Sequence, residues 1–319
     1  MPLGWYYLIV CVMNLGAVVY CARRARDRRA ALAWAAVAVG FGGLGVAAFL
    51  GYPLVLPESV KTAVDSVLGP VTFTLGALAA LALFFLGRRL LVRPAVAWGV
   101  LNASLLAMGA SMTDPEFAHV VTRPDNVPIV AMVYLLAFFT WLGTFLAVRN
   151  DDRFHAGRGP REAELADTVL VWPDLVYIEL IAMVIVSVVL IVWSVTLPAP
   201  LEQPANPVVT PNPSKAPWYF LGLQEMLVFF DASIAGVVLP GLIILGLMAI
   251  PYLDPNPKGA GYYTIAQRRF GYLVFQFGFL GLWIVLILIG TFMRGPNWSF
   301  FGLYEPRDPH KVLALSLIH

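Results

Sequence analysis

Eight long apolar segments constrain the fold of this chain more than any other feature of its sequence. They lie near residues 4–21, 30–52, 67–86, 95–112, 128–148, 175–197, 233–253 and 271–293. Each is close to the roughly 20 apolar residues that a helix needs to cross a bilayer, and lipid leaves the backbone no partner outside a helix. Because 60% of the residues are hydrophobic and only 13% are charged, we predict an all-α polytopic membrane protein of about eight transmembrane helices.

The basic residues between these segments predict how the helices cross the membrane. Of the 21 Lys and Arg residues, 15 follow the first, third, fifth or seventh segment, and six fall elsewhere. Cytoplasmic loops carry the excess of basic residues, so both termini are expected outside the cytoplasm. We interpret the arginines as topology anchors at membrane lipid, and no nucleic-acid partner is expected.

Ionisable residues are almost absent from the predicted helices. Glu179 is the only one, and it lies near the cytoplasmic end of the sixth segment. A proton pump or ion-coupled carrier needs charged or polar groups halfway across the membrane. We predict no such group in these helices, which disfavours a channel or transporter. The four histidines, His119, His155, His310 and His319, are predicted in loops or in the tail. A b-type haem needs axial ligands inside the membrane, so no haem or metal ligated by this chain is expected.

A polar stretch divides the chain into two parts. We predict a five-helix membrane module of unknown role in residues 1–150, a cytoplasmic linker in residues 151–168 and a second membrane domain in residues 169–319. In the first part, the run from Ala35 to Ala48 is rich in glycine and alanine. Such a run favours close packing of helices over a ligand site.

Four short motifs occur in order in the second part. They are Trp172-Pro173-Asp174, Asn206-Pro207-Val208-Val209-Thr210-Pro211, Pro217-Trp218-Tyr219-Phe220 and Asp254-Pro255-Asn256-Pro257. The ordered set resembles the C-terminal portion of the cytochrome b family, and most closely subunit IV of cytochrome b6f-type complexes, over about residues 170–295. The resemblance implies a membrane subunit of a quinol:cytochrome c (bc-type) oxidoreductase in a bacterial cell (inner) membrane.

The resemblance also implies a quinol site near the outer face. Pro217, Trp218, Tyr219 and Phe220 would bind quinol there, and Tyr219 would take part in catalysis. Seven prolines between residues 198 and 217 predict a rigid, non-helical loop at this place. Aromatic residues at a membrane surface are also typical of an interfacial belt that binds no substrate, and that alternative stays open.

One departure from the family pattern concerns the proton acceptor. The family signature is commonly Pro-Glu-Trp-Tyr, whereas here Pro217 stands where the Glu would be. We predict that Glu225, six residues beyond Tyr219, is the substitute catalytic base; the alternative is an interfacial carboxylate that faces water. The departure is similar to that in bacteria that oxidise menaquinol, so menaquinol or ubiquinol is the expected substrate.

On the cytoplasmic side, Asp174 and Glu179 flank the start of the sixth segment. The resemblance implies that they route protons to a second, quinone-reducing site. Acidic residues are also favoured at any helix N-terminus by the helix macrodipole, so a structural role remains open.

The resemblance implies partner chains that carry the redox centres. They are a four-histidine cytochrome b with the b haems, a Rieske protein with a 2Fe-2S cluster, and a c-type cytochrome. The alternative is a structural scaffold subunit of a respiratory membrane complex whose quinol site does not function. We hypothesise that the N-terminal module docks further subunits.

Overall fold

The computed structural model describes residues 3–164, 170–196, 204–254 and 263–311. Helices dominate these residues, and the β-type pairing found among them amounts to two isolated bridges. The predicted all-α class is therefore confirmed.

Seven of the described helices are long and apolar enough to cross a membrane. They are α1 (Leu3–Ala25), α2 (Arg28–Phe49), α6 (Pro94–Ser111), α8 (Val127–His155), α10 (Val171–Thr196), α12 (Ile234–Leu253) and α13 (Arg269–Met293). Shorter helices lie between them: α3 (Glu58–Val67), α4 (Pro70–Leu86), α5 (Arg88–Leu91), α7 (Pro115–Val121), α9 (Arg161–Glu164) and α11 (Leu221–Met226). If α3 and α4 count as one bent span, there are eight crossings, in agreement with the prediction of about eight.

The third crossing differs from its predicted form, which began at residue 67. Helices α3 and α4 meet at an angle of 88°, because the chain leaves α3 at Leu68 and re-enters a helix with Pro70 in the first turn of α4. Proline has no N–H with which to continue the hydrogen bonds of a preceding helix. The charged helix α3 is held instead by Lys61, whose ammonium lies 2.8 Å from the Asp114 carboxylate.

The glycine-rich run of α2 packs against α1 along one face. A Cβ atom on Gly45 would lie 3.1 Å from the Leu8 side chain and 3.2 Å from the Gly4 carbonyl oxygen. On Gly42 it would lie 3.5 Å from Cys11 Sγ, whereas on Gly43 it would meet nothing within 4 Å. Small residues therefore allow the two backbones to approach on this face, as the sequence pattern indicates.

The prediction of no polar group at mid-depth was wrong for the N-terminal helices. Asn14 of α1 is fully buried and donates to Asn102 Oδ1 of α6 at 2.6 Å. The Trp98 indole donates to Asn14 Oδ1 at 2.9 Å, and Asn102 donates to the Trp98 carbonyl at 2.8 Å. Each amide oxygen is thus bonded, so the two buried amides join α1 to α6 at little desolvation cost.

Helix α8 extends further than its apolar segment. It runs to His155, and His119 lies in the short helix α7, so the prediction that both histidines lie in loops was wrong. The extension is stabilised by Asp151, whose carboxylate accepts hydrogen bonds from the Thr264 hydroxyl at 2.5 Å and from the Ala266 N–H at 3.1 Å. Asn150 donates to the Tyr263 carbonyl at 2.8 Å.

Contacts at the two ends of the helices agree with helices that cross the membrane in succession. At one end of the bundle, here called the arginine-rich end, Arg89 pairs with Asp152 at 3.0 Å. At the opposite end, here called the proline-rich end, the hydroxyls of Ser111 and Tyr304 lie 2.8 Å apart.

Helix α13 connects the N-terminal helices to the rest of the chain. Of its most apolar stretch, 39% of the residues are buried, against 6% for α12 and none for α10. Gln276 of α13 donates to the Leu81 carbonyl of α4 at 2.7 Å, and the hydroxyls of Tyr272 and Thr144 lie 2.9 Å apart. Helices α10 and α12 consequently present most of their apolar surface outward.

Candidate functional site

The proline-rich loop that precedes the predicted quinol site has no regular helix between residues 204 and 217. Hydrogen bonds hold the C-terminal end of the loop against α11: the Gln224 side chain accepts from the Ala216 N–H and donates to the Ser214 carbonyl, both at 2.8 Å. Asn212 donates to Asn297 Oδ1 beyond α13 at 2.8 Å. The described part of the loop is thus ordered by its contacts with α11 and with the segment after α13; Pro198 and Pro200 lie outside the described residues.

The predicted quinol-binding residues form a single aromatic turn at the end of this loop. Pro217 precedes a 3-10 turn formed by Trp218, Tyr219 and Phe220. Their rings contact one another, with centroids 5.6 Å apart for Trp218 and Tyr219 and 4.7 Å apart for Tyr219 and Phe220. Trp218 is 38% exposed and the other two are 50% exposed. The turn therefore offers an apolar surface that a lipid-soluble molecule or a partner chain can cover.

Glu225 is buried in an ion pair, an environment that the sequence did not predict. Its side chain is only 1% exposed, as is that of Arg294, which directly follows α13. Arg294 Nε lies 2.9 Å from Glu225 Oε2, and Arg294 Nη2 lies 2.5 Å from Oε1. Arg294 also donates to the Trp298 carbonyl at 2.9 Å. The interpretation of Glu225 as a carboxylate facing water was wrong, because this forked ion pair joins α11 to the end of α13.

Two further cations lie at the same end of α13. Lys215 donates to the Thr291 carbonyl at 2.9 Å, and Arg307 Nη2 donates to the Phe292 carbonyl at 2.5 Å. Burial, reinforced by the nearby Arg307 and Arg123 charges, lowers the pKa of Lys215 to about 7. Burial also lowers the pKa of Arg307. Neither side chain forms an ion pair with a carboxylate of the described residues.

Asp174 and Glu179 lie apart from the aromatic turn, at the start of α10. Both are exposed in this chain. Neither has a hydrogen-bond or ion-pair partner among residues 3–164, 170–196, 204–254 and 263–311. Their predicted role in proton routing is not tested by this arrangement.

Sequence reasoning missed Arg294, Lys215 and Arg307 as parts of the site. A usable signal was present for Arg294, which is the first charged residue after an apolar stretch and is costly to bury unless it is paired.

No group of three His, Cys, Asp or Glu side chains that could hold a metal ion is found in the part of the chain that the structure describes.

Comparisons with known proteins address the segment that contains this site. The chain is similar to the menaquinol:cytochrome c reductase cytochrome c subunit of Geobacillus thermodenitrificans, with 32% identity over 96 residues. The alignment covers 28% of this chain and 38% of that protein, so little more than a third of the relative's length is spanned. No solved structure matches the chain. Residues 204–303 match the family of the cytochrome b C-terminal region, b6 and petD. This segment includes the proline-rich loop, the aromatic turn, Glu225 and Arg294, and it makes up about a third of the chain.

Proposed function

We propose that this chain is a membrane subunit of a quinol:cytochrome c oxidoreductase of the bc type, and that it forms part of the outer-face site of quinol oxidation. The observation that carries the proposal is the exposed aromatic turn at Trp218, Tyr219 and Phe220, which lies inside the segment matched by the family. The similarity to a protein named as a menaquinol:cytochrome c reductase subunit supports menaquinol as the substrate rather than ubiquinol.

In this proposal the aromatic turn binds the quinol ring and keeps water from it. An isoprenoid quinol reaches its site through lipid, so a half-exposed apolar surface at the end of the bundle suits its entry. Tyr219 is the central ring of the turn and would position the quinol. The hydrogen bonds of Gln224 to Ser214 and Ala216 hold the loop in place, which lowers the entropic cost of binding.

Electrons would leave the quinol for redox centres on partner chains. A Rieske 2Fe-2S protein would take the first electron, b haems on a four-histidine cytochrome b would take the second, and a c-type cytochrome would be the final acceptor. None of the histidines that the structure describes lies in the apolar part of a spanning helix: His119 is in α7, His155 is the last residue of α8, seven residues beyond its apolar segment, and His310 follows α13. Helices α10 and α12, whose faces are exposed in this chain, would contact the cytochrome b chain.

The protons of the quinol need an acceptor, and we propose Glu225 for the outer site. To accept a proton, its carboxylate has to loosen the bond to Arg294, which can keep its hydrogen bond to the Trp298 carbonyl. On the opposite face, Asp174 and Glu179 would route protons to a quinone-reducing site formed with a partner. In the orientation predicted from the basic residues, with both termini outside, the aromatic turn would lie on the side where protons are released.

A second candidate function is a structural scaffold with an inactive quinol site. One observation favours it: both carboxylate oxygens of Glu225 are engaged by Arg294, as expected for a purely structural ion pair. In that case the aromatic turn would be an interfacial belt.

Substitution of Tyr219 distinguishes the two candidates. In the purified complex, Tyr219→Ala is expected to lower kcat/KM for a soluble menaquinol analogue by about tenfold or more, because one aromatic contact is worth roughly a factor of ten. Tyr219→Phe should retain most of the activity, since the ring remains. Tyr52→Ala is the matched control: Tyr52 is 78% exposed and lies in a loop of the N-terminal module. Equal turnover for Tyr219→Ala and Tyr52→Ala would refute a quinol site at the turn and support the scaffold.

A further inference from the structure

An apolar crevice separates the N-terminal helices from the proline-rich end of α13. Its volume is about 830 Å³, within the range of pockets that bind small organic molecules. Its lining includes apolar side chains from three helices: Leu101 of α6, Phe138 of α8, and Leu288 and Phe292 of α13. The charged residue in the lining is Arg307. The crevice therefore combines an apolar wall from two parts of the chain with one cation.

The crevice is long in the direction of the helices. On α8 the lining runs from Val130 to Trp141, which corresponds to about 16 Å along the helix axis. On α6 it runs from Pro94 to Met108, or about 21 Å. The hydrocarbon core of a bilayer is about 30 Å thick, so the crevice extends through more than half of it. A space of this length and polarity suits hydrocarbon chains.

At the charged end of the crevice, neither Arg307 nor Lys215 forms an ion pair with a carboxylate that the structure describes. Arg307 Nη1 is buried and has no hydrogen-bond partner among the described residues. Lys215 and Arg307 donate to the carbonyls of Thr291 and Phe292, which are consecutive residues, so the two cations lie close together. The C-terminal carbonyls of a helix carry only about half a negative charge. Burial lowers the pKa of both groups, and an anion at this end of the crevice would neutralise their remaining positive charge.

We propose that the crevice binds one phospholipid with an anionic headgroup, whose phosphate contacts Arg307 and Lys215 and whose acyl chains lie along α6 and α8. Arg binds phosphate through charge-assisted hydrogen bonds. Basic pockets between transmembrane helices bind anionic lipid headgroups on the cytoplasmic side, and the proposed pocket would use the same chemistry at the opposite, proline-rich end. A quinone has an uncharged headgroup and would leave both cations unneutralised. The lipid would fill the joint between the N-terminal module and the cytochrome b segment, and this proposal does not depend on quinol oxidation by the chain.

Lipid mass spectrometry tests this proposal. The purified complex is washed with a delipidating detergent, and the lipids that remain bound are identified in variants of the charged end and of the apolar wall. We expect about one anionic phospholipid per chain. Arg307→Gln should lower its amount about tenfold, the effect of losing one charge-assisted hydrogen bond, and Ala137→Phe should lower it by filling the crevice. The matched controls are Arg158→Gln, an exposed arginine at the arginine-rich end, and Leu135→Phe, on α8 outside the lining; Leu135 is 54% exposed.

The result that supports the proposal is loss of anionic phospholipid in both test variants and retention in both controls, with unchanged thermal midpoints showing that the variants fold. Retention of the lipid in Arg307→Gln and Ala137→Phe would overturn it. Loss of a quinone, rather than of a phospholipid, from Arg307→Gln and Ala137→Phe would overturn it as well, and so would finding only zwitterionic lipid on the wild-type complex.

Discussion

The buried ion pair between Glu225 and Arg294 allows a test that separates folding from catalysis. Glu225→Gln keeps the size of the side chain but leaves the Arg294 cation without a counterion at a position where it is 1% exposed. Removing one partner of a buried ion pair costs about 3–5 kcal/mol, because the other charge stays desolvated and unpaired. We therefore expect a clear fall in the thermal midpoint of the complex in detergent.

The double variant Glu225→Gln/Arg294→Met should recover most of this loss, since replacing both charges avoids a lone buried ion. It still loses the hydrogen bond from Arg294 to the Trp298 carbonyl, which is worth about 1 kcal/mol. Asp152→Asn is the matched control, because Asp152 pairs with Arg89 at a position where both side chains are more than half exposed. That change should cost less than about 1 kcal/mol.

Turnover then decides the role of Glu225. If the carboxylate accepts the quinol proton, the double variant will be stable and yet will oxidise quinol much more slowly than the wild type. If Glu225 is only structural, stability and turnover will recover together. A Glu225→Gln variant as stable as the Asp152→Asn control would refute the reasoning from burial.

Three further predictions concern stability. Burial and the nearby arginine charges lower the pKa of Lys215 to about 7 in the folded protein, whereas its value in the unfolded chain is about 10.4. The unfolded state therefore binds more protons between these pH values, and the melting temperature of the wild type relative to Lys215→Met should rise from pH 7 to pH 10. A difference in melting temperature that does not change with pH would contradict the burial of Lys215. Gly109→Ala should destabilise the N-terminal module by about 1–3 kcal/mol, since the new Cβ would lie 2.6 Å from a tyrosine ring of α1; Gly76→Ala, with nothing within 4 Å, is the control in the same melting assay. Asp151→Ala should cost about 1–3 kcal/mol and speed amide hydrogen exchange at Ile265 and Ala266, whose N–H groups donate to its carboxylate; unchanged exchange would show that other contacts order this segment.

The helices could be predicted from sequence because the bilayer fixes their length and polarity. The prediction failed for two helix boundaries that hydrophobicity does not set. Pro70 breaks the third crossing, and α8 continues through charged residues to His155 because Asp151 is bound by a distant loop. The Asn14–Asn102 hydrogen bond was also missed, since a single amide in an apolar run gives no sign of a partner 88 residues away.

The candidate site shows the same limit. Its place could be predicted, because the prolines and the aromatic turn are adjacent in sequence. The environment of Glu225 could not, since Arg294 is 69 residues away and only the folding of α13 back onto α11 brings the two together. The roles assigned to Tyr219, Glu225, Asp174 and Glu179, and the division at residues 150 and 168, stay predictions.

The contacts of α13 indicate what the N-terminal module does for the proposed site. On one side, Gln276 and Tyr272 hold α13 against α4 and α8. At its end, Arg294 and the Thr291 carbonyl bind Glu225 and Lys215, which flank the aromatic turn. An error in the position of α13 would therefore move the groups on both sides of the turn. Because α10 and α12 have almost no buried residues within this chain, they cannot supply that support, so we infer that the module fixes the site through α13 while α10 and α12 stay available to a partner.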